Sequence, residues 1–171
     1  MVELKFYKLD KNAHEPTVGS QWAACFDLKA FIGAEKITYY DKQNNKKEVT
    51  PLKGNDKVRY IQLMPKCRYI VPTGLILDIP EGHSVRLHPR SGLSLKQGLG
   101  LANLEGVIDC DYVDPLFILL ENRSDAVVKI TDGMRVCQGE LVEDMTYLFN
   151  QTDEKPETKT DRNGGLGSTG H

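Results

Sequence analysis

Nothing in this chain is long and apolar enough to cross a membrane as a helix. Its longest run of purely aliphatic and aromatic residues is Leu116 to Leu120, against the roughly 20 residues that a spanning helix needs. The first ten residues, MVELKFYKLD, alternate charged and apolar side chains and lack the apolar stretch of a signal peptide. A cytoplasmic protein without membrane contact is expected. The four cysteines, Cys25, Cys67, Cys110 and Cys137, are never within four residues of one another, so the spacing shows neither a zinc knuckle nor a redox pair. Free thiols, buried or half-buried, are expected in place of disulfides. The four histidines, His14, His83, His88 and His171, are equally scattered and form no HxxxH pair. Any bound metal is therefore expected on oxygen ligands. There is no basic surplus: 22 Lys and Arg face 24 Asp and Glu, a formal charge of −2. Nucleic acid is not expected as a partner.

What the chain does have is material for one domain. Its 171 residues, 40% hydrophobic and 27% charged, suffice for a single core. Short apolar stretches recur between turn signals such as Pro80-Glu81-Gly82 and Asp132-Gly133. Strand candidates are Met1 to Leu9 at an edge, Tyr69-Ile70-Val71 and Leu75-Ile76-Leu77 either side of Pro72-Thr73-Gly74, Ser84 to Leu87, Gly106 to Ile108, Leu116 to Glu121, Ala126 to Ile130 and Arg135 to Val142. This pattern predicts an all-β barrel or sandwich. Only Ser91 to Gln97 reads as helical, a short turn capped by Ser91. Residues 39–57, YYDKQNNKKEVTPLKGNDK, are polar and read as an inserted surface hairpin or loop. Residues 150–171 read as a flexible polar tail, leaving residues 1–149 as the folded domain.

The chemistry concentrates in four segments and that tail. Pro89-Arg90-Ser91-Gly92-Leu93 pairs a guanidinium fork with the start of a helical turn. That arrangement suits phosphate, although a helix cap beside a surface arginine has the same sequence. The tail, Arg162-Asn163-Gly164-Gly165-Leu166-Gly167-Ser168-Thr169-Gly170, offers glycine-rich backbone that wraps phosphates closely. It is less specific than a Walker loop, and GxxxxGK[ST] is absent. Gly106-Val107-Ile108-Asp109-Cys110-Asp111-Tyr112 places two carboxylates two apart. In a strand both point to one face, as a general base with its supporting acceptor or as a turn-forming pair. Asp27, in Ala24-Cys25-Phe26-Asp27-Leu28, is a lone acid. Gly133-Met134-Arg135-Val136-Cys137-Gln138 completes the set.

Taken in order, these five segments resemble the motifs of the trimeric all-β dUTPases, from about Ala24 to the C-terminus with a break at 39–57. The most specific pieces are PRSGL, NLEGVIDCDY and RNGGLGSTG. The resemblance implies a distorted, jelly-roll-like β-barrel with one short helix. It implies hydrolysis of dUTP to dUMP and pyrophosphate at the α-phosphorus, with Mg2+ as cofactor. It assigns Asp109 as the base that activates water, and Tyr112 as the ring beneath the deoxyribose. Asn103 and the backbone of Gly106, Val107 and Ile108 read uracil. Arg90, Ser91, Gly92 and Gln138 bind the phosphates, with Arg135 in a structural role. Asp27 reaches magnesium through water. Arg162, with Gly164, Gly165, Leu166, Gly167, Ser168 and Thr169, closes over the nucleotide. A homotrimer with sites shared between subunits is implied as well.

The sequence departs from the family pattern in four places. Cys25 stands where glycine is usual, Met134 where an acid is frequent, Val113-Asp114 where Arg-Gly is usual, and Leu166 where a phenylalanine stacks on the base. Two other readings use the same fold: a dCTP-directed relative, which needs a different pocket, and a regulatory protein-binding module.

Overall fold

The computed structural model describes residues 2–160. Among them are fifteen strands and one short helix, in keeping with the all-β expectation. The strands form four sheets. None of these closes on itself into a barrel.

Two five-stranded sheets carry the architecture. One runs β12 (Gly106–Asp109), β10 (His83–Pro89), β15 (Arg135–Glu143), β3 (Phe26–Lys29), β2 (Thr17–Val18). The other runs β11 (Leu99–Leu101), β13 (Phe117–Asn122), β8 (Arg68–Pro72), β4 (Ile37–Tyr40), β5 (Lys46–Val49). A three-stranded sheet, β14 (Val128–Thr131), β7 (Arg59–Leu63), β6 (Leu52–Lys53), and the pair β1 (Lys5–Lys8) and β9 (Leu75–Asp78) complete the set. Every pairing is antiparallel.

The core follows from period-2 alternation. In β13, Ile118 and Leu120 are buried while Phe117 and Leu119 are exposed; in β10, Val85 and Leu87 are buried. They join Leu28, Tyr69 and Val71 in one apolar cluster. Each such side chain contributes about 1.5–3 kcal/mol on leaving water. The buried Asn122 has its polar atoms matched. Asn122 donates to the carbonyls of Leu63 and Ala126 at 2.9 and 2.8 Å and accepts from Ser124 through its other amide atom.

Pro72-Thr73-Gly74 does not join a hairpin. Strands β8 and β9 enter different sheets, so these three residues turn a corner. Gly74 takes φ +70°, and a Cβ there would stand 2.8 Å from that of Ala13. Thr73 ties the corner by donating its hydroxyl to the Leu116 carbonyl at 2.8 Å.

The helix α1 spans Ser91–Gln97, the stretch read as helical. Its N-cap is Arg90, with no side-chain cap, so Ser91 is not the capping residue. Gly98 ends it in the left-handed conformation, which glycine adopts without strain. Residues 39–57 contain the end of β4, all of β5 and all of β6. Tyr39 stacks on the buried Tyr69, ring centroids 4.8 Å apart, so this stretch is rooted in a core sheet. Residues 150–160 are exposed and carry neither strand nor helix.

Candidate active site

Two groups of the singled-out residues come together, at opposite ends of the same strand. The first surrounds a cavity of about 300 Å³. Strands β11 and β12 follow one another in sequence but belong to different sheets. They splay apart, and the cavity opens between them. Asn103, Gly106, Val107, Ile108, Asp109 and Tyr112 all line it.

Strand β12 pairs only with β10. Its other edge therefore presents backbone donors and acceptors that no strand occupies among the described residues. Gly106 lets β12 lie close to its neighbour, since a Cβ there would stand 3.0 Å from Leu87 Cδ1 and 3.3 Å from Asn103 Nδ2. The strand ends at Asp109, and a turn follows in which the Tyr112 N–H donates to the Asp109 carbonyl at 3.1 Å. Asp111 thus lies in the turn, outside the strand, so the shared-face reading of the two carboxylates does not hold. Tyr112 is held by its hydroxyl, which donates to the Pro115 carbonyl at 3.0 Å. Asp109 is exposed at the mouth of the cavity.

The second group lies where β3, β10 and β15 run side by side. Asp27 faces Gln138 in the ladder, and Gln138 faces His88. Arg90, just past the end of β10, donates through Nε to Asp27 Oδ1 at 3.0 Å. Arg135 donates through a terminal nitrogen to Asp27 Oδ2 at 3.0 Å. Asp27 is buried, at 5% exposure, and one carboxylate therefore fixes two guanidinium groups. The trio keeps a net positive charge, a setting for an anion. Ser91 and Gly92 follow directly as the first helical residues.

One strand measures the distance between the groups. Ser84 of β10 faces Asp109, while Arg90 follows six residues after Ser84. At about 3.3 Å per residue that is roughly 20 Å. A single phosphate cannot touch Asp109 and Arg90 of the same chain.

A family model for dUTPase matches residues 57–170. The chain belongs to the dUTPase family. Among curated relatives, the deoxyuridine 5'-triphosphate nucleotidohydrolase of Roseobacter denitrificans is 42% identical over 111 residues, 64% of this chain and 72% of that protein. The namesake from Finegoldia magna is 38% identical over 144 residues, 80% of this chain and 99% of that protein. The fold matches that of a Staphylococcus bacteriophage 80alpha dUTPase mutant solved with dUpNHpp, with a TM-score of 0.75, 21% identity and full coverage of both chains. A dUTPase mutant from phage phi11 of S. aureus, described with a structural Mg(II) ion, aligns with a TM-score of 0.66 at 22% identity over 90% of this chain and 98% of that one.

Magnesium takes oxygen ligands in a near-octahedral shell and keeps several waters. Both Asp27 oxygens accept from guanidinium groups, so among the described residues no carboxylate cage is built beside Arg90. This trio of side chains therefore offers an ion no direct ligand that is not already engaged. Arg162, Gly164, Gly165, Leu166, Gly167, Ser168 and Thr169 lie outside the described residues.

One cluster was missed in the sequence. Cys25, His88 and Glu140 bring their ligand atoms within 4.8 Å of one another. They sit 63 and 52 positions apart along the chain, and strand pairing alone unites them. All four thiols are free. Burial pushes Cys137 up to about 12. Burial also raises Cys25, with the Glu140 and Asp27 charges adding to it.

Proposed function

We propose that the chain is a cytoplasmic, magnesium-dependent homotrimeric enzyme that hydrolyses dUTP to dUMP and pyrophosphate. The observation that carries this reading is the convergence of Asn103, Gly106, Val107, Ile108, Asp109 and Tyr112 on one cavity, in a member of the dUTPase family. The open edge of β12 and the Asn103 amide bind the uracil edge. A cytosine there leaves buried polar groups unpaired, which costs discrimination energy. Tyr112 packs against the deoxyribose and excludes a 2′-hydroxyl.

Asp109 takes a proton from water while the water oxygen bonds to the α-phosphorus. The bond from that phosphorus to the oxygen bridging to the β-phosphate breaks, and pyrophosphate leaves. Arg90 and Gln138, with the N–H groups opening α1, hold phosphate oxygens, and the Arg162 tail closes over them. Asp27 orients Arg90 and would meet a bound metal through water. Bound magnesium neutralises phosphate charge.

The separation of roughly 20 Å between Asp109 and Arg90 supports sites built from more than one subunit. So do Met145, Tyr147, Leu148 and Phe149. They follow β15 with 74–90% exposure, an apolar stretch of the kind that a partner subunit covers. Pyrophosphate release measured against every deoxy- and ribonucleoside triphosphate tests the function. Release from dUTP alone is expected. Release from dCTP at a comparable rate, or none from any, overturns the reading.

A further inference from the structure

We propose that Cys25, His88 and Glu140 form a binding site for a borderline-soft divalent transition metal such as zinc, separate from the magnesium that accompanies the nucleotide. The three residues come from three adjacent strands of one sheet, or its margin. Cys25 immediately precedes β3, His88 lies in β10 and Glu140 in β15. Each is two positions from a residue of the Arg90 group: Cys25 from Asp27, His88 from Arg90, Glu140 from Gln138. Successive alternate residues share a face of a sheet. His88 thus shares the rung of Asp27 and Gln138, and Cys25 and Glu140 are the next alternate positions on that face.

The geometry is close to that of a metal site. His88 Nε2 lies 3.1 Å from Glu140 Oε2, and all the ligand atoms fall within 4.8 Å. Ligands bound at about 2.0–2.3 Å to a tetrahedral zinc stand roughly 3.3–3.7 Å apart. Closing the widest pair by about 1 Å achieves this, a shift that side-chain rotation supplies. The other ring nitrogen, His88 Nδ1, faces Glu105 Oε1 at 3.6 Å. A carboxylate behind a histidine sets the ring's tautomer and orients it toward a metal. All three ligands are half-buried, which leaves a fourth position for water.

The donor chemistry selects the ion. A thiolate, an imidazole and one carboxylate suit zinc or cobalt and suit magnesium poorly. The contacts of His88 with Glu105 and Glu140 are also made without metal. The two arrangements differ in what they do with added ion.

The test uses the full-length protein, stripped with chelator and titrated with Co2+ and then Zn2+. One equivalent per chain should bind. Cobalt should give a thiolate-to-metal charge-transfer band in the near ultraviolet and the strong visible bands of a tetrahedral site. Zinc should displace it, and millimolar Mg2+ should not. Cys25→Ser should abolish the charge-transfer band. Glu140→Gln should weaken binding at least tenfold, and Glu105→Gln by about 10–100-fold with the band retained. Circular dichroism confirms that each variant is folded. If Cys25→Ser does not fold, Glu140→Gln and His88→Gln give the same readout from the other strands. No charge-transfer band in the parent protein, a band unchanged in Cys25→Ser, or displacement of cobalt by Mg2+ overturns the proposal. Because the readout is spectroscopic, it stands apart from dUTP turnover.

Discussion

Arg90 Nε donates to Asp27 Oδ1 at 3.0 Å across 63 residues of sequence. Arg135 occupies the other oxygen, so the carboxylate is the hinge between two guanidinium groups. Asp27→Asn keeps the shape and removes the charge. Hydrogen bonds to charged groups are worth about 1.5–3 kcal/mol, and Arg90 and Arg135 remain partly solvated. We expect a loss of roughly 1–3 kcal/mol in chemical denaturation, together with a raised KM for dUTP. An unchanged KM would mean that Asp27 does not set the position of Arg90.

Asp109 is exposed and ends an edge strand, so Asp109→Asn should fold normally. Turnover should fall by roughly 10²–10⁴, the range for losing a general base, while binding of a non-hydrolysable dUTP analogue stays within a few-fold. A kcat equal to that of the parent removes Asp109 from the proposed chemistry.

Tyr112 lines the cavity and is pinned through its hydroxyl to Pro115. Tyr112→Ala should open space beside the sugar and admit UTP, seen as pyrophosphate released from UTP. If dUTP is still cleaved and UTP is not, the ring does not exclude the 2′-hydroxyl.

Asp41 turns the β4–β5 connection. It accepts from the Gln43 and Asn45 N–H groups and pairs with Lys47 at 2.9 Å. The Lys47 ammonium, then the Asn45 backbone N–H, holds its carboxyl well below the ordinary 3.8. A carboxyl with a lowered folded pKa contributes stability above its unfolded pKa and loses it as pH falls toward the folded one. Asp41→Asn should therefore lower Tm at pH 7 and at pH 5 alike. The gap to the parent should shrink only below about pH 4. A gap that is constant down to pH 2 would assign the effect to the turn's hydrogen bonds alone.

Shared sites predict complementation. One chain carries Asp109→Asn and another ends after Lys159. Each alone should be nearly inactive. Unfolded and refolded together, they form mixed trimers in which an intact Asp109 from the truncated chain meets a tail from the other. Activity should return to a sizeable fraction of the parent. Mixed trimers seen by native mass spectrometry, but no more active than their parts, would place base and tail in one chain.

The sequence by itself determined the elements. Short apolar runs between turn signals located β8, β9, β10, β13 and β15 to within a residue or two, and the single helix was read at its true bounds. It also determined the family, because PRSGL, NLEGVIDCDY and RNGGLGSTG are contiguous runs. Polar short strands such as β5, with only Val49 not fully exposed, lack the alternation that marks a buried face. Tertiary structure alone decided which strands pair. A ladder of backbone hydrogen bonds is satisfied equally well by any extended neighbour, so β8 and β9, separated only by Thr73-Gly74, join different sheets. The same long-range pairing set Arg90 and Arg135 on Asp27, gathered Cys25, His88 and Glu140, and spread Asp109 and Arg90 to opposite ends of β10. Local spacing encodes which face a side chain takes, while its neighbours across the sheet come from the burial of the whole core.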